Sequence, residues 1–385
     1  MPRKHMSNLW NCLRVCRCLL IFLSMTSCAS VPKQELVDCV QFGKVTCEGQ
    51  LAREEYQATI EQLLDATRHS GTFIGKDGIQ LAYERYRQPG HEQDAIVLVI
   101  GRAESYVKYH ELIYDLYRNG YSVFAYDHRG QGLSDRILKG PNDERKGYVD
   151  QFDDYVEDLN TLIEDIVAPT APRKIFLLAH SMGGAIASLW AEQHPKGADA
   201  LALSSPMHQP ALPGGKWFHR AVCQYYVADK EESKPTEYAG DGPVQLTEED
   251  FTDPEKNDFT HSRIRFERFL MVLHSDPRLR LTGPTWRWVS EACRGSREAV
   301  ADASKIAMPI LLLQAGSDTV VRASAQVTFC ENSSRCDGGG VVVIDGAKHE
   351  LLIESDPYRT EALTRILEFF EKYRSKPLSH EVGSR

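Results

Sequence analysis

Residues 174–184 constrain this chain more than any other stretch. Ile175 to Leu178 is an unbroken apolar run, the pattern of a strand buried on both faces of a parallel sheet. From Ala185 to Gln193 the apolar residues recur at helical spacing. Between the two, the chain must turn within Ala179-His-Ser-Met-Gly183. Ala179 and Gly183 are small because bulk two residues either side of Ser181 would collide in so tight a turn. Strand, small-residue turn and helix together make a nucleophile elbow, in an Ala-x-Ser-x-Gly variant. Such a turn lifts Ser181 Oγ out of the sheet and points the Met182 N–H at a developing oxyanion. The bland alternative is a helix start with Ser181 as N-cap. The strand before and the helix after favour the elbow.

The rest of the chain alternates strand and helix around that point. Gly71 to Arg87 reads as a hairpin turning at Lys76-Asp-Gly78. Ala95 to Ile100 is a buried strand, followed by the loop Gly101-Arg-Ala-Glu-Ser105 and a helix around Leu112, Ile113 and Leu116 that Gly120 ends. A strand over 122–126, a helix over 152–166, the elbow and a short strand over 201–203 come next. The alternation stops from 206 to about 293, where Pro, Gly and acidic runs such as Glu248-Glu-Asp250 mark an inserted cap. It resumes with strands at 310–314 and 341–344, a helix near 323–329 and a last helix with Leu363, Ile366, Leu367 and Phe370 on one face. This order predicts an α/β fold with a mostly parallel sheet flanked by helices. The expected parts are a leader (1–28), a spacer with one helix (29–70), a first core part (71–205), the cap (206–293), a second core part (294–375) and a flexible tail (376–385).

The leader has its own logic. Arg3, Lys4, Arg14 and Arg17 form a basic region, and 18–25 is an apolar core too short to serve comfortably as a permanent span. Small residues just before Cys28 resemble a bacterial lipoprotein signal, although Met25 departs from the aliphatic residue usual three places earlier. On that reading Cys28 is lipidated and becomes the mature N-terminus. Ala29 and Ser30 carry no acidic retention signal, which implies an outer-membrane lipoprotein of a Gram-negative envelope. An ordinary cleaved signal and an uncleaved anchor are the alternatives. Six further cysteines, Cys39, Cys47, Cys223, Cys293, Cys330 and Cys336, form an even set that an exported chain can oxidise. Cys39–Cys47 and Cys330–Cys336 are the simplest pairs, against a background reading of idle buried thiols. No Cys-x-x-Cys pair or His cluster has zinc spacing, so neither metal nor cofactor is expected. The net charge of −9 gives no reason to expect a nucleic-acid partner, and a monomer is expected.

A serine hydroxyl at neutral pH needs a base to take its proton and an acid to orient that base. In α/β-hydrolases these follow in the order Ser, Asp/Glu, His on loops after later strands. Asp318 falls just past the strand 310–314, and His349 in the loop after 341–344. Asp345 is a rival acid, too near His349 in sequence. His180 is expected to pack under the elbow, and Glu350 and Glu354 to be supporting or surface groups. The second oxyanion donor belongs after the strand 96–100, and the Arg102 N–H is the choice. The Arg102 side chain is open to two readings, contact with an anionic substrate group or an ordinary surface salt bridge. Asp127-His-Arg-Gly-Gln-Gly132 lacks the lysine of a P-loop and reads as a tight structural turn.

The segments Gly101-Arg-Ala-Glu-Ser-Tyr-Val-Lys-Tyr-His-Glu-Leu112, Asp127-His-Arg-Gly-Gln-Gly132, Phe152-Asp-Asp-Tyr-Val-Glu-Asp-Leu159 and Ala179-His-Ser-Met-Gly-Gly-Ala-Ile186 resemble bacterial lysophospholipases of the L2 type. These sit in the monoacylglycerol-lipase-like branch (serine aminopeptidase S33 type) of the α/β-hydrolases. Thr260-His-Ser-Arg263 and Gly283-Pro-Thr285 match its inserted cap. The resemblance covers about 72–373. It implies an α/β-hydrolase fold with a cap, no cofactor, and hydrolysis of the fatty acyl ester of lysophospholipids or monoacylglycerols. Cap residues Trp217, Phe218, Tyr225, Tyr226, Phe266, Phe269, Leu270 and Trp286 would then bury an acyl chain at about 0.8 kcal/mol per methylene, unless they are simply the core of the cap. A peptidase acting on free N-termini and a non-catalytic binding protein on the same fold are the competing readings.

Overall fold

A computed structural model describes residues 44–90, 93–141, 143–212, 223, 227–240 and 257–374. The predicted leader and tail, Cys28, Cys39 and the cap aromatics Trp217, Phe218, Tyr225 and Tyr226 lie outside them. Eight strands form one sheet: β1 (Arg68–Ile74), β2 (Gln80–Tyr86), β3 (Asp94–Val99), β4 (Tyr121–Tyr126), β5 (Lys174–His180), β6 (Ala200–Ser204), β7 (Ile310–Ala315) and β8 (Val342–Ile344). Their order is β1-β2-β4-β3-β5-β6-β7-β8. The β1–β2 and β2–β4 pairs are antiparallel, and from β4 onward every pair is parallel.

Strand composition explains the layering. Val97, Val99, Leu177 and Leu203 face one side of the sheet, and Ile96, Leu98, Leu178 and Ala202 the other. Both sides are covered, so the runs are continuously apolar rather than alternating. On the first side lie residues of the helices Asp153–Leu162, Met182–Gln193 and Trp286–Ala301. On the second lie residues of Glu54–Thr67, His110–Arg118 and Asp356–Arg374.

Three boundaries differ from the expectation. Residues 44–67 are part of the body rather than a spacer. Val45, Leu51, Ile60 and Leu64 are buried in the same core as Leu112 and Leu363. Each such side chain contributes roughly 1.5–3 kcal/mol when removed from water. The hairpin begins at Arg68, three residues before the expected boundary at 71. The cap does not end at 293, because that position is inside the helix Trp286–Ala301. Thr285 Oγ1 caps this helix by accepting from the Trp288 N–H at 3.2 Å. Its buried face, Trp288, Val289, Ala292 and Ala299, joins the sheet's core, so one helix carries the chain from cap to body.

Buried ion pairs fasten the pieces. Arg265, on the cap helix Arg263–Ser275, bonds Glu111 and Asp356, each at 3.0 Å, and the Glu354 carbonyl at 2.6 Å. Arg359 bonds Asp115 at 2.9 Å and the Thr46 carbonyl at 3.0 Å. Removing one partner from such pairs strands a charge at about 3–5 kcal/mol. Disulfides join Cys330 to Cys336 and Cys223 to Cys293. The second spans 70 positions, a pairing that preference for near neighbours did not suggest. Cys47 is also disulfide-bonded.

Candidate active site

The elbow is strained, and its surroundings hold it there. Ser181 has φ 50° and ψ −119°, a conformation that costs an L-residue about 1–3 kcal/mol. Three backbone hydrogen bonds oppose relaxation. The Ser181 N–H donates to the Ser204 carbonyl at 3.1 Å, and the Ser181 carbonyl accepts from Gly184 (2.9 Å) and Met207 (2.8 Å). Gly183 is obligatory: a Cβ there would lie 2.2 Å from the Val99 oxygen and 2.4 Å from that of Ile100. The start of the elbow helix therefore presses against the end of β3, whose Val99 pairs with Ala179 of β5. That contact brings the Met182 N–H, without an intrahelical partner at the first helical position, to the loop that leaves β3.

Parallel strands place the three predicted residues on one rim. Ser181 follows β5, Asp318 follows β7 and His349 follows β8. His349 Nε2 lies 2.9 Å from Ser181 Oγ, and its Nδ1 lies 2.8 Å from Asp318 Oδ2. Asp318 Oδ1 is held by the N–H groups of Val320 (2.8 Å) and Val321 (3.0 Å). His349 and Ser181 are both buried. A carboxylate thus fixes the imidazole with Nδ1 protonated, which leaves Nε2 to accept the serine proton.

The loop after β3 is clamped from three directions. Gln131 Nε2 donates to the carbonyls of Gly101 (2.9 Å) and Glu104 (3.0 Å), and its Oε1 accepts the Ala103 N–H at 3.2 Å. Glu104 Oε2 accepts the Gly101 N–H at 2.6 Å and the Tyr109 hydroxyl at 2.8 Å. His128 Nε2 lies 2.9 Å from the Ile100 carbonyl. Among the described residues nothing accepts the Arg102 N–H. The turn carrying Gln131 and His128 is the one read as structural. Asp127, buried, takes Ser105 Oγ, Tyr106 N–H and Leu133 N–H at 2.7–2.9 Å. Burial pushes its carboxyl up to about 7. Gly132 has φ 57°, and a Cβ on it would sit 2.0 Å from Asp127 Oδ2.

Sequence reasoning missed a buried charge cluster beneath the triad. The Lys108 ammonium bonds both Glu104 and Glu350, the latter at 2.8 Å. Glu350 Oε2 also lies 3.3 Å from His180 Nε2, whose ring is 4.9 Å from that of His349. His180 Nδ1 is 3.1 Å from the Ser204 carbonyl, under the elbow. Burial works against the charge on Glu350. Lys108 first, then His180, overcome it and hold the carboxyl well below the usual range. The cluster ties the loop after β3, the residue before Ser181 and the residue after His349 into one unit. Its only hint in sequence is the spacing of Glu104 and Lys108, four residues apart. Glu104, His180 and Glu350 would be plausible ligands by chemistry, with ligand atoms within 4.8 Å of one another. The Lys108 ammonium already occupies the place of a cation between the two carboxylates.

Among the described residues the side chain of Arg102 meets no carboxylate, so they offer no partner for the surface salt bridge. The side chain turns under the cap, where its Nη2 donates to the Thr282 carbonyl at 2.7 Å. Glu354, fully buried, accepts from the His261 N–H at 2.9 Å and the Lys348 N–H at 3.0 Å, tying the His349 loop to the cap.

An elbow on the central strand of such a sheet, with acid and histidine on the rims of later strands, defines an α/β-hydrolase. Comparison with known proteins agrees. The profile of the family described as serine aminopeptidase S33 (Hydrolase_4) matches residues 90–356, and the chain belongs to that family. It is 38% identical to lysophospholipase L2 of Escherichia coli strain K12 over 80% of this chain and 89% of that one. It is 32% identical to a probable lysophospholipase L2 of Haemophilus influenzae, over 77% and 90%. A soluble variant of monoglyceride lipase from Saccharomyces cerevisiae superposes with a TM-score of 0.61 at 18% identity, over 80% of this chain and 96% of that one, which speaks to the fold. The protein is thus an ester hydrolase of lipase-like type.

Proposed function

We propose that the protein hydrolyses the fatty acyl ester of lysophospholipids or monoacylglycerols through an acyl-enzyme on Ser181. The observation that carries this reading is the continuous relay from Asp318 through His349 to Ser181, at 2.8 and 2.9 Å. His349 Nε2 takes the hydroxyl proton as Oγ adds to the ester carbonyl. The negative charge moves onto the carbonyl oxygen, between the Met182 and Arg102 N–H groups. Collapse breaks the ester C–O bond, and the imidazolium gives its proton to the departing glycerol oxygen. Water, deprotonated by the same imidazole, then adds to the acyl carbon, and the free fatty acid leaves as Ser181 regains its proton. Asp318 stays ionised throughout and stabilises the imidazolium.

The relatives named lysophospholipase support a lipid substrate over a peptide. So does the charge pattern. Capturing a free peptide amine takes an unpaired carboxylate near the site, and among the described residues Glu104 and Glu350, the carboxylates nearest His180, are both committed to Lys108. The leader supports tethering through lipidated Cys28 to the outer membrane. Palmitate labelling that survives Cys28→Ala would remove that part of the proposal.

The main test is purified protein beginning after Cys28, assayed on lysophosphatidylcholine, a monoacylglycerol and an aminoacyl-naphthylamide. Ser181→Ala should abolish ester hydrolysis and fluorophosphonate labelling while the protein stays folded. Retained activity would place the nucleophile elsewhere, and faster turnover of the naphthylamide would overturn the lipid assignment.

A further inference from the structure

Among the described residues the three fully buried guanidinium groups are neutralised. Arg129 meets Asp158 at 2.6 Å, Arg265 meets Glu111 at 3.0 Å and Arg359 meets Asp115 at 2.9 Å. Arg102 differs. No carboxylate among the described residues comes within ion-pair distance of it, and its Nε is sealed from solvent with no hydrogen-bond partner. Burial pulls its pKa down to about 10, opposed only in part by Tyr155.

The group is nevertheless held firmly. Its plane lies over the Trp288 ring, 4.9 Å from the centroid, and Nη2 is anchored on the Thr282 carbonyl. Gly147 makes room, since a Cβ there would sit 2.6 Å from Nη2. Thr282 belongs to the cap, Trp288 to the helix that leads from cap to body, and the Arg102 backbone belongs to the loop that offers the oxyanion N–H. The side chain therefore ties that loop to the cap at Thr282, and the residue keeps part of its surface open. Nε is sealed and Nη2 is committed to Thr282, so the donor left for an incoming anion is Nη1, which has no partner among the described residues; a half-buried cation without a counter-charge gains when an anion meets it. Its planar fork suits oxygens of a phosphate or carboxylate.

Position selects the anion. The guanidinium hangs one side chain's length from the N–H that would hold the acyl carbonyl oxygen. In a lysophospholipid the phosphate lies one glycerol's length from that same carbonyl. A monoacylglycerol has only a hydroxyl there. We propose that the Arg102 side chain binds the phosphodiester of a lysophospholipid and sets a preference for that substrate over uncharged monoacylglycerols. This rests on the ester-hydrolase reading of Ser181 and specifies the leaving group at the same site.

The experiment compares kcat/KM for lysophosphatidylcholine and for a monoacylglycerol of the same acyl chain. In Arg102→Gln the ratio of the two should fall about tenfold or more, the loss of one charge-assisted contact, whatever happens to the absolute rates. Arg102→Lys, which keeps charge but not the fork, should recover part of the ratio. A second arm needs only the wild-type protein: sn-glycero-3-phosphocholine should inhibit monoacylglycerol hydrolysis competitively and more strongly than glycerol does. If both rates fall together in Arg102→Gln and the ratio stays within about threefold, Arg102 merely braces the loop and the inference is lost. Equal inhibition by the phosphodiester and by glycerol overturns it as well, even if the variants fail to fold. Wild-type protein that cleaves neither lipid would instead remove the ester-hydrolase reading beneath it.

Discussion

Replacing Asp318 by asparagine separates orientation from mere presence. The two carboxylate oxygens have different duties. Oδ1 accepts two backbone N–H groups, from Val320 and Val321, and Oδ2 faces His349 Nδ1. In Asp318→Asn the amide must choose. With its oxygen in the Oδ1 place both backbone donors stay satisfied, and the NH₂ points at His349. Flipping it would set the NH₂ against two N–H donors and forfeit two hydrogen bonds, at about 1–3 kcal/mol each. A total of about 3 kcal/mol holds the flipped form near one part in a hundred. The dominant form donates to Nδ1, so the imidazole proton moves to Nε2 and faces Ser181 Oγ. A base that already carries a proton there cannot accept another. We expect kcat for lysophosphatidylcholine to fall at least about a hundredfold, and on the order of ten-thousandfold if the residual flipped fraction is inactive, with KM little changed. Asp318→Ala leaves the tautomer free and should fall no further than the asparagine variant. The assay is fatty-acid release at saturating substrate, with fluorophosphonate labelling rate as a second readout. An asparagine variant that keeps more than about a tenth of wild-type kcat would refute the tautomer argument.

Other perturbations test the surroundings. Lys108→Met leaves Glu104 and Glu350 buried without their cation, so stability should drop by about 3–5 kcal/mol and kcat should fall because Glu104 holds the Gly101 N–H; an unchanged melting midpoint would contradict this. His110 supplies a pH signature. Burial opposes its charge, but Glu61 and Glu84, at 3.6 and 3.4 Å, overcome this and raise its pKa from 6.5 to about 9. The folded state therefore holds the proton more tightly, and the stabilisation is complete below pH 6.5 and lost as pH rises through 9. Melting curves should show a decline over that window worth about 1–2 kcal/mol, discounted because Glu61 is half exposed, and His110→Gln should flatten it. Equal slopes in both proteins would exclude His110 as the cause. Replacing Cys223 and Cys293 by serine opens a link across 70 positions, with an expected loss of about 4 kcal/mol by chain entropy; denaturant midpoints that coincide would contradict it.

Local pattern accounts for what was legible beforehand. The strand 175–178, the small residues flanking Ser181 and the strand-end positions of Asp318 and His349 all appear within a few residues of themselves. The signals come from steric limits on a turn and from the period of buried strands, and neither depends on distant partners. Domain limits were read less well. The helices over 44–67 have a weak apolar stripe, and only the presence of Leu112 and Leu363 opposite them makes that stripe a core face. The helix Trp286–Ala301 continues without a break where composition suggested an end to the cap.

The class of fold, the elbow and the positions of Ser181, Asp318 and His349 at strand ends were legible in residue order alone. Tertiary structure decided what surrounds them. Lys108 and Glu350 are 242 positions apart, and Arg102 and Thr282 are 180 apart. Whether an ammonium finds two carboxylates, or a guanidinium finds none among the described residues, depends on strand order and on where the cap folds back. A charge carries no periodic mark of its partner, because Coulomb attraction and desolvation act through space rather than along the chain.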